Sequence, residues 1–348
     1  MGRVTDSLAV PGLQMSRMGS AAIITLNKPQ TLNALDLAML RGMAALLDEW
    51  ADDAAVKTVV IRSSSPKAFC AGGDIRALRI ASLEERFGDI STFFEAEYGL
   101  SGRIGAYPKP YVSLIDGYCM GGGMGISMHG GHRIVAEGAT LAMPETRIGF
   151  YPDVGTSYLL PRLSAGVGLY LALTGAQLDA ADALEVGLAT SFVPRSSHIA
   201  LTDALVDGEA AAEAVQHFST PLPGPSALAT QRPEIAHHFA NASSVCEIIR
   251  SLEQESGEFA TKTLSILRAR CPTSLAVTFE NMRRGAHLDL SGALAMEQHL
   301  CVPMSRRADY AEGIRAAVVD KQAVPHWQPA RVEDVSPEAI SALYEGLA

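Results

Sequence analysis

The stretch "YVSLIDGYCMGGGMG", residues 111 to 125, decides the fold class. Its first six residues are an apolar, β-rich run, and the glycines after it end a strand in a turn where no Cβ obstructs the backbone. The device recurs upstream: "KTVVIRS" (57–63) reads as a buried strand and "AFCAGGD" (68–74) follows it with a second glycine turn. "AAIITL" (21–26) reads as a strand, "LDLAMLRGMAALLDEWADD" (35–53) as an amphipathic helix, and "HRIVAEGATLAMPE" (132–145) as two short strands. Strands alternating with helices are the rhythm of an α/β fold, and the chemistry is expected where the turns leave the sheet.

Beyond residue 163 the pattern turns helical. A helix ended by Gly175, an Asp-initiated helix at "LDAADALEVGL" and a short strand at "TSFVP" close the first part. Prolines 221, 223 and 225 mark a connector, after which "EIIRSLEQES", "EFATKTLSILRARC", "SGALAMEQHLCVPMSRRADYAEGIRAAVVD" and residues 337–346 read as helices. The expected organisation is an α/β core over 1–220 and a helical region over 221–348 that covers the active site.

Composition narrows the function. A chain of 348 residues with 48% hydrophobic content can bury a large core, and a net charge of -10 gives no basic surface for nucleic acid. The five cysteines show no CxxC spacing, so neither a disulfide framework nor a zinc site is expected. The opening "MGRVTDSLAVPGLQMSRMGS" has no secretory or transit pattern, and no apolar run approaches the roughly 20 residues needed to span a bilayer. These features lead to the expectation of a soluble, cytoplasmic protein.

Two carboxylates stand out in "MPETRIGFYPDVG" (143–155), where Glu145 and Asp153 each follow a proline in otherwise mostly apolar sequence. Paired acids in unlike surroundings commonly divide acid and base work, and N–H groups converging from glycine turns suit a developing oxyanion. Each feature alone also fits a helix cap or a tight turn. Neither glycine cluster is a P-loop or a GxGxxG fingerprint. His129 and His132 lack a third ligand at a recognisable spacing, so no metal site is expected.

"SPKAFCAGGDIRAL" (65–78) together with residues 109–155 resembles the crotonase, or enoyl-CoA hydratase/isomerase, superfamily. Within it the set "FCAGGDI", "GGGMGISMHG", "MPETRIGFYPDVG" and the distant "EGIRAAVVDKQAVPHWQP" (312–329) is most similar to the 3-hydroxyisobutyryl-CoA hydrolases. The resemblance runs from about residue 17 to the end. It implies a spiral of ββα units with a helical C-terminal region, an acyl-CoA substrate, and no cofactor, coenzyme A being part of the substrate. Homo-oligomers are common in the superfamily.

The resemblance also implies roles. The N–H groups of Gly73 and Gly122 would form the oxyanion hole, each such donor being worth about 3 kcal/mol in a transition state. Glu145 and Asp153 would be catalytic, Glu97 would contact substrate, Ala71, Gly72 and Asp74 would meet the adenine, and Asn33 and Ala34 would line the CoA entry. Lys67, Arg76, Arg79 and Lys109 lie near these turns in sequence and are candidates for the phosphates. Hydratases carry a glutamate where this chain has Gly125, and the hydrolases add the aspartate found here as Asp153. Thioester hydrolysis, above all of 3-hydroxyisobutyryl-CoA in valine breakdown, is therefore expected. Hydration or isomerisation with Glu145 as the sole base, and CoA binding without catalysis, are the alternatives.

Overall fold

The structure, a computed structural model, describes residues 10–222, 224–321 and 323–347; the reading of the first nine residues and of Pro223 lies outside them. The strands, in chain order, are β1 (Leu13–Met18), β2 (Ala21–Leu26), β3 (Thr58–Ser63), β4 (Ala68–Cys70), β5 (Tyr111–Ile115), β6 (Tyr118–Met120), β7 (His132–Val135), β8 (Thr140–Ala142) and β9 (Ser191–Phe192). β1 and β2 are antiparallel, and β3, β5, β7 and β9 add to β2 in parallel to complete a six-stranded sheet. β4, β6 and β8 form a second, three-stranded sheet. From β3 to β8 the chain lays one strand in the larger sheet, the next in the smaller, and then turns into helix. This is the expected ββα winding, since parallel neighbours need a crossover.

By contact the described chain divides into two units. The first holds the described residues up to Gly73, Gly99–Leu141 and Leu178–Ala229; the second holds Asp74–Tyr98, Ala142–Gln177 and the described residues from Thr230 onward. A single boundary at 220/221 is thus replaced by crossings at 73/74, 98/99, 141/142, 177/178 and 229/230. The physical reason is that segments 74–98 and 142–177 pair with the C-terminal helices. Arg79 Nε donates to Ala311 O (2.9 Å), Ser82 Oγ to Ser305 O (2.8 Å), and Cys271 N to Thr146 O (3.0 Å).

In the first unit Ile23, Val60 and Val112 stand side by side across β2, β3 and β5. With Leu114 and Ile134 they pack with Leu201 and Leu205 of helix His198–Asp207 and with Ala211, Ala214 and Val215 of helix Ala211–Phe218. Each fully buried aliphatic side chain of this kind contributes roughly 1.5–3 kcal/mol. Helix Leu37–Asp52 starts where Asp36 accepts the Met39 N–H (2.9 Å) and buries Met39, Met43, Leu46, Leu47 and Trp50 along one face.

In the second unit the helix expected over 291–320 is divided. Leu290–Ser305 and Ala308–Ile314 are separated at Arg306 and Arg307, and a π-helical turn follows at Arg315–Val319. Helix Pro272–Gly285, which starts with proline in its first turn, was not among the sequence expectations. No described helix is long and apolar enough to cross a membrane.

The two glycine turns follow β4 and β6, and their packing is tight. A Cβ built on Gly123 would lie 2.4 Å from Cys70 O, a contact with rigid backbone. Gly123→Ala is expected to cost about 1–3 kcal/mol, read as a lower urea midpoint at unchanged slope. A wild-type midpoint would show that these turns do not pack as described.

Candidate active site

Parallel pairing of β4 with β6, Cys70 opposite Cys119, delivers Ala71–Gly73 and Gly121–Gly123 to one end of the small sheet. A Cβ on Gly72 would sit 3.3 Å from Met120 O and 3.7 Å from Gly122 N, so the turns are neighbours. Gly72 (φ +105°) and Gly121 (φ +51°) take conformations that L side chains rarely adopt. Gly122 is the first residue of helix Gly122–Gly125, where an N–H has no partner within the helix. Gly73 stands at a parallel bridge to Leu35. The structure therefore brings the two expected oxyanion glycines onto adjoining turns of the first unit.

The other expected contacts divide. Asn33, fully buried with φ +58°, donates through Nδ2 to Ser63 Oγ (2.7 Å) and Phe69 O (2.9 Å) and accepts Lys28 N–H (2.8 Å). Its side chain pins the loop that precedes helix Leu37–Asp52. Ala34 is half-buried, and Ala71 N donates to Leu32 O (3.0 Å). Asp74 caps helix Ile75–Leu83 by accepting the Ala77 N–H (3.2 Å). Of the four basic candidates, Lys109 Nζ donates to Asp53 O (2.7 Å), Arg76 to Val318 O (2.5 Å) and Arg79 to Ala311 O, whereas Lys67 is exposed.

The acids gather in the second unit. Glu145 opens the 3-10 turn Glu145–Ile148, Asp153 follows in the loop, and Glu97 projects from helix Phe87–Gly105; all three are buried. Aromatic side chains of the same unit pack on one another: Phe94 stacks on Phe150 (5.2 Å between centroids), Phe150 on Tyr151 (4.3 Å), and Tyr310 tilts against Phe150 (5.4 Å). Burial, then the charge of Asp153, then that of Glu97 hold the Glu145 carboxyl well above its ordinary range, although its backbone hydrogen bond opposes this. Burial followed by Asp153 and Glu297 does the same to Glu97. Asp153 is pushed up to about 7 by burial, against the lowering effect of the Tyr98 hydroxyl, which donates to Oδ2 at 2.8 Å. Glu145 Oε2 is buried and has no hydrogen-bond partner among the described residues. A buried carboxyl oxygen left without a donor is costly and is characteristic of sites that await a ligand.

A fourth acid was missed. Glu297, in "SGALAMEQHL", is completely buried; Oε2 accepts Gly155 N–H (2.7 Å), and Oε1 accepts Ser157 N–H (3.1 Å) and the Ser157 hydroxyl. Burial lifts it to about 8 against these donors. The available signal was its place among alanine, methionine and leucine, where a surface glutamate is out of pattern. Between Asp153 and Gly155, Val154 has φ +53°, which for a β-branched residue costs on the order of 1–3 kcal/mol. The acid-bearing segment is also met by backbone on several sides. A Cβ on Gly285 would lie 2.0 Å from Ser157 O, on Gly313 2.4 Å from the Ile148 carbonyl carbon, and on Gly149 2.3 Å from Asp309 O.

His132 is half-buried and lies outside any grouping of metal-ligand type among the described residues. The grouping that does occur, His237, His238 and Glu255, includes a contact of two exposed side chains, His237 Nε2 and Glu255 Oε1 at 3.2 Å.

Two sheets wound as ββα units, with glycine turns side by side, define a protein of the crotonase fold. The profile of the enoyl-CoA hydratase/isomerase family matches residues 21–344, and the chain belongs to that family. It is 39% identical over 353 residues to 3-hydroxyisobutyryl-CoA hydrolase, mitochondrial, of Gallus gallus, covering 99% of this chain and 90% of that protein. Among solved structures, an enoyl-CoA hydratase from Rhodobacter sphaeroides superposes with a TM-score of 0.90 at 36% identity, covering 97% of this chain and 98% of that one. A carnitinyl-CoA dehydratase from Mycobacterium thermoresistibile gives 0.91 at 34%, with 96% of each chain covered.

The raised carboxyls carry a sign for stability. Asp153 and Glu297 bind protons more tightly folded than unfolded, so their contribution is full below about pH 4 and is lost as pH rises toward about 7 and about 8. Asp153→Asn removes one of these groups. It is expected to melt a few degrees higher relative to wild type at pH 8 than at pH 5, by circular dichroism. A constant difference across that window would contradict the assignment.

Proposed function

We propose that the chain is an acyl-CoA thioester hydrolase whose principal substrate is 3-hydroxyisobutyryl-CoA. The observation that supports this reading most directly is the pairing of a present and a missing acid. Asp153 shares the buried acid cluster with Glu145, whereas position 125, where hydratases of the superfamily carry a glutamate, is a buried glycine in helix Gly122–Gly125. The relatives' names point in different directions, to hydrolase, hydratase and dehydratase, and residue 125 weighs between them. Holding one water between two glutamates for addition to an alkene needs both.

In this reading the first unit's Gly73 and Gly122 N–H groups stabilise the carbonyl oxygen as it gains charge. The Glu145 carboxylate takes a proton from water as the water oxygen bonds to the carbonyl carbon; the C–S bond then breaks and the thiolate takes up a proton, leaving the free acid and CoA. Glu145 could equally attack the carbon itself, giving an anhydride that water opens. Asp153, held by Tyr98, orients the 3-hydroxyl and the water, and Glu97 contacts the acyl group. The scheme uses no cofactor; coenzyme A enters with the substrate. The C-terminal helices, whose Glu297 and Cys271 bond to the acid-bearing segment, form the cover of the acid cluster. A cytoplasmic location goes with this reading.

Release of CoA from 3-hydroxyisobutyryl-CoA, followed with a thiol reagent across a panel of short acyl-CoAs, tests the reading. Hydration of crotonyl-CoA without thiol release would instead establish the hydratase reading. Glu145→Gln is expected to lower kcat/KM by about 100-fold or more. Asp153→Asn should lower kcat too and, because the Asp153 charge raises Glu145, move the rising limb of the pH profile to lower pH. A limb that stayed in place would sever the two acids.

A further inference from the structure

Asp153 does not hold its own position. Its carboxyl accepts from the neutral Tyr98 hydroxyl, and its carbonyl accepts Thr156 N–H (2.9 Å) and Thr156 Oγ–H (2.8 Å), bonds internal to the same turn. That turn includes Val154 at φ +53° and Gly155 at φ +81°, and a valine left to itself would leave the left-handed region. Glu297 ties the turn to helix Leu290–Ser305. The Glu297 carboxylate takes both following N–H groups, Gly155 and Ser157, and its main-chain carbonyl takes the Tyr151 hydroxyl (2.5 Å). The chain on both sides of Asp153 is thereby fastened to a single residue of helix Leu290–Ser305. Glu297 makes no bond to Asp153 itself, and Gly285 closes the turn from another helix by backbone contact with Ser157.

We infer that Glu297 is a positioning residue for the proposed hydrolysis: its carboxylate clamps the Asp153–Ser157 turn in its left-handed form and so sets where the Asp153 carboxyl stands. The role rests on the function proposed above, but the clamp itself does not. A completely buried acid whose oxygens accept two backbone N–H groups and a hydroxyl is suited to this task, because it joins three donors of one turn to a single helix residue. Displacing a reacting group by about 1 Å can cost about 100-fold in rate.

Glu297→Gln keeps the volume but turns an amide NH2 toward donors that need an acceptor. Its amides at 154–157 should exchange with solvent faster than in wild type, and kcat for CoA release should fall by about 10- to 100-fold with KM within about twofold. Val154→Gly, which takes the same φ without strain, should return part of that loss when combined with Glu297→Gln, relative to Val154→Gly alone. Core filling by Glu297 predicts no such rescue. If Glu297→Gln does not fold, Glu297→Asp withdraws the carboxyl by one methylene and keeps its acceptor oxygens, with the same two readouts expected. Unchanged amide exchange overturns the clamp; faster exchange with wild-type kcat, or absent rescue, overturns the positioning role. Wild-type protein that releases no CoA would overturn the function instead, with exchange alone then deciding the clamp.

Discussion

The second unit is organised around one electrostatic constraint, the gathering of Glu97, Glu145, Asp153 and Glu297 where water is scarce. Charging any one of them is opposed by burial, and for Glu97, Glu145 and Glu297 the neighbouring acids add repulsion. A fold built for stability alone would place apolar residues there, since a buried charge without a counter-charge is costly. The forces on the four carboxyls come from burial, from one another and from hydroxyl or N–H donors. What makes the cluster tolerable is a mixture of retained protons and hydroxyl or N–H donors. Protons held near neutral pH are also what acid–base chemistry requires.

The surrounding architecture can be read as a response to that constraint. Carboxyls that must not be flooded need close packing around them, and the same unit packs Phe94, Phe150, Tyr151 and Tyr310 ring against ring. They must also be held, because a loop carrying acids that repel one another gains by spreading. Glycines at 149, 285 and 313 let backbone meet backbone at distances a Cβ would forbid, so the segment is held by packing that no side-chain rotation can loosen. The first unit uses the same economy for a different end: Gly72 and Gly123 bring two turns together where side chains would keep them apart.

Most of the first unit was legible in the sequence, and the reason is physical. Its parallel strands are buried on both faces and read as continuous β-branched runs, and "AAIITL" and "YVSLI" are strands where the sequence placed them. Glu145 and Asp153 were legible because charge in apolar sequence is conspicuous, and family resemblance gave them roles. Glu297 was not, because a helix routinely carries glutamates and only the tertiary partner, a turn 140 residues earlier in the chain, distinguishes this one. The division into units was hidden for the same reason. Segments 74–98 and 142–177 are local excursions in sequence, and their allegiance to the C-terminal helices is set by hydrogen bonds such as Ser82 to Ser305 that no local pattern encodes.

Under the proposed function, positions 125 and 153 give a physical reason for fold and activity to separate. The glycine turns, the strands that align them and the ββα winding form a scaffold with no acid chemistry of its own; the carboxyls are added by other segments. A glutamate at 125 would come from the helix that begins at Gly122, in the first unit, whereas Asp153 comes from a loop of the second. The scaffold itself is widely shared: this chain superposes on one named enoyl-CoA hydratase over 97% of its length and matches a curated hydrolase in sequence over 99%. The shift also changes what the acid demands. An acid on a helix is placed by the helix, but one on a strained loop needs an anchor, and the buried glutamate on helix Leu290–Ser305 meets that need in this chain.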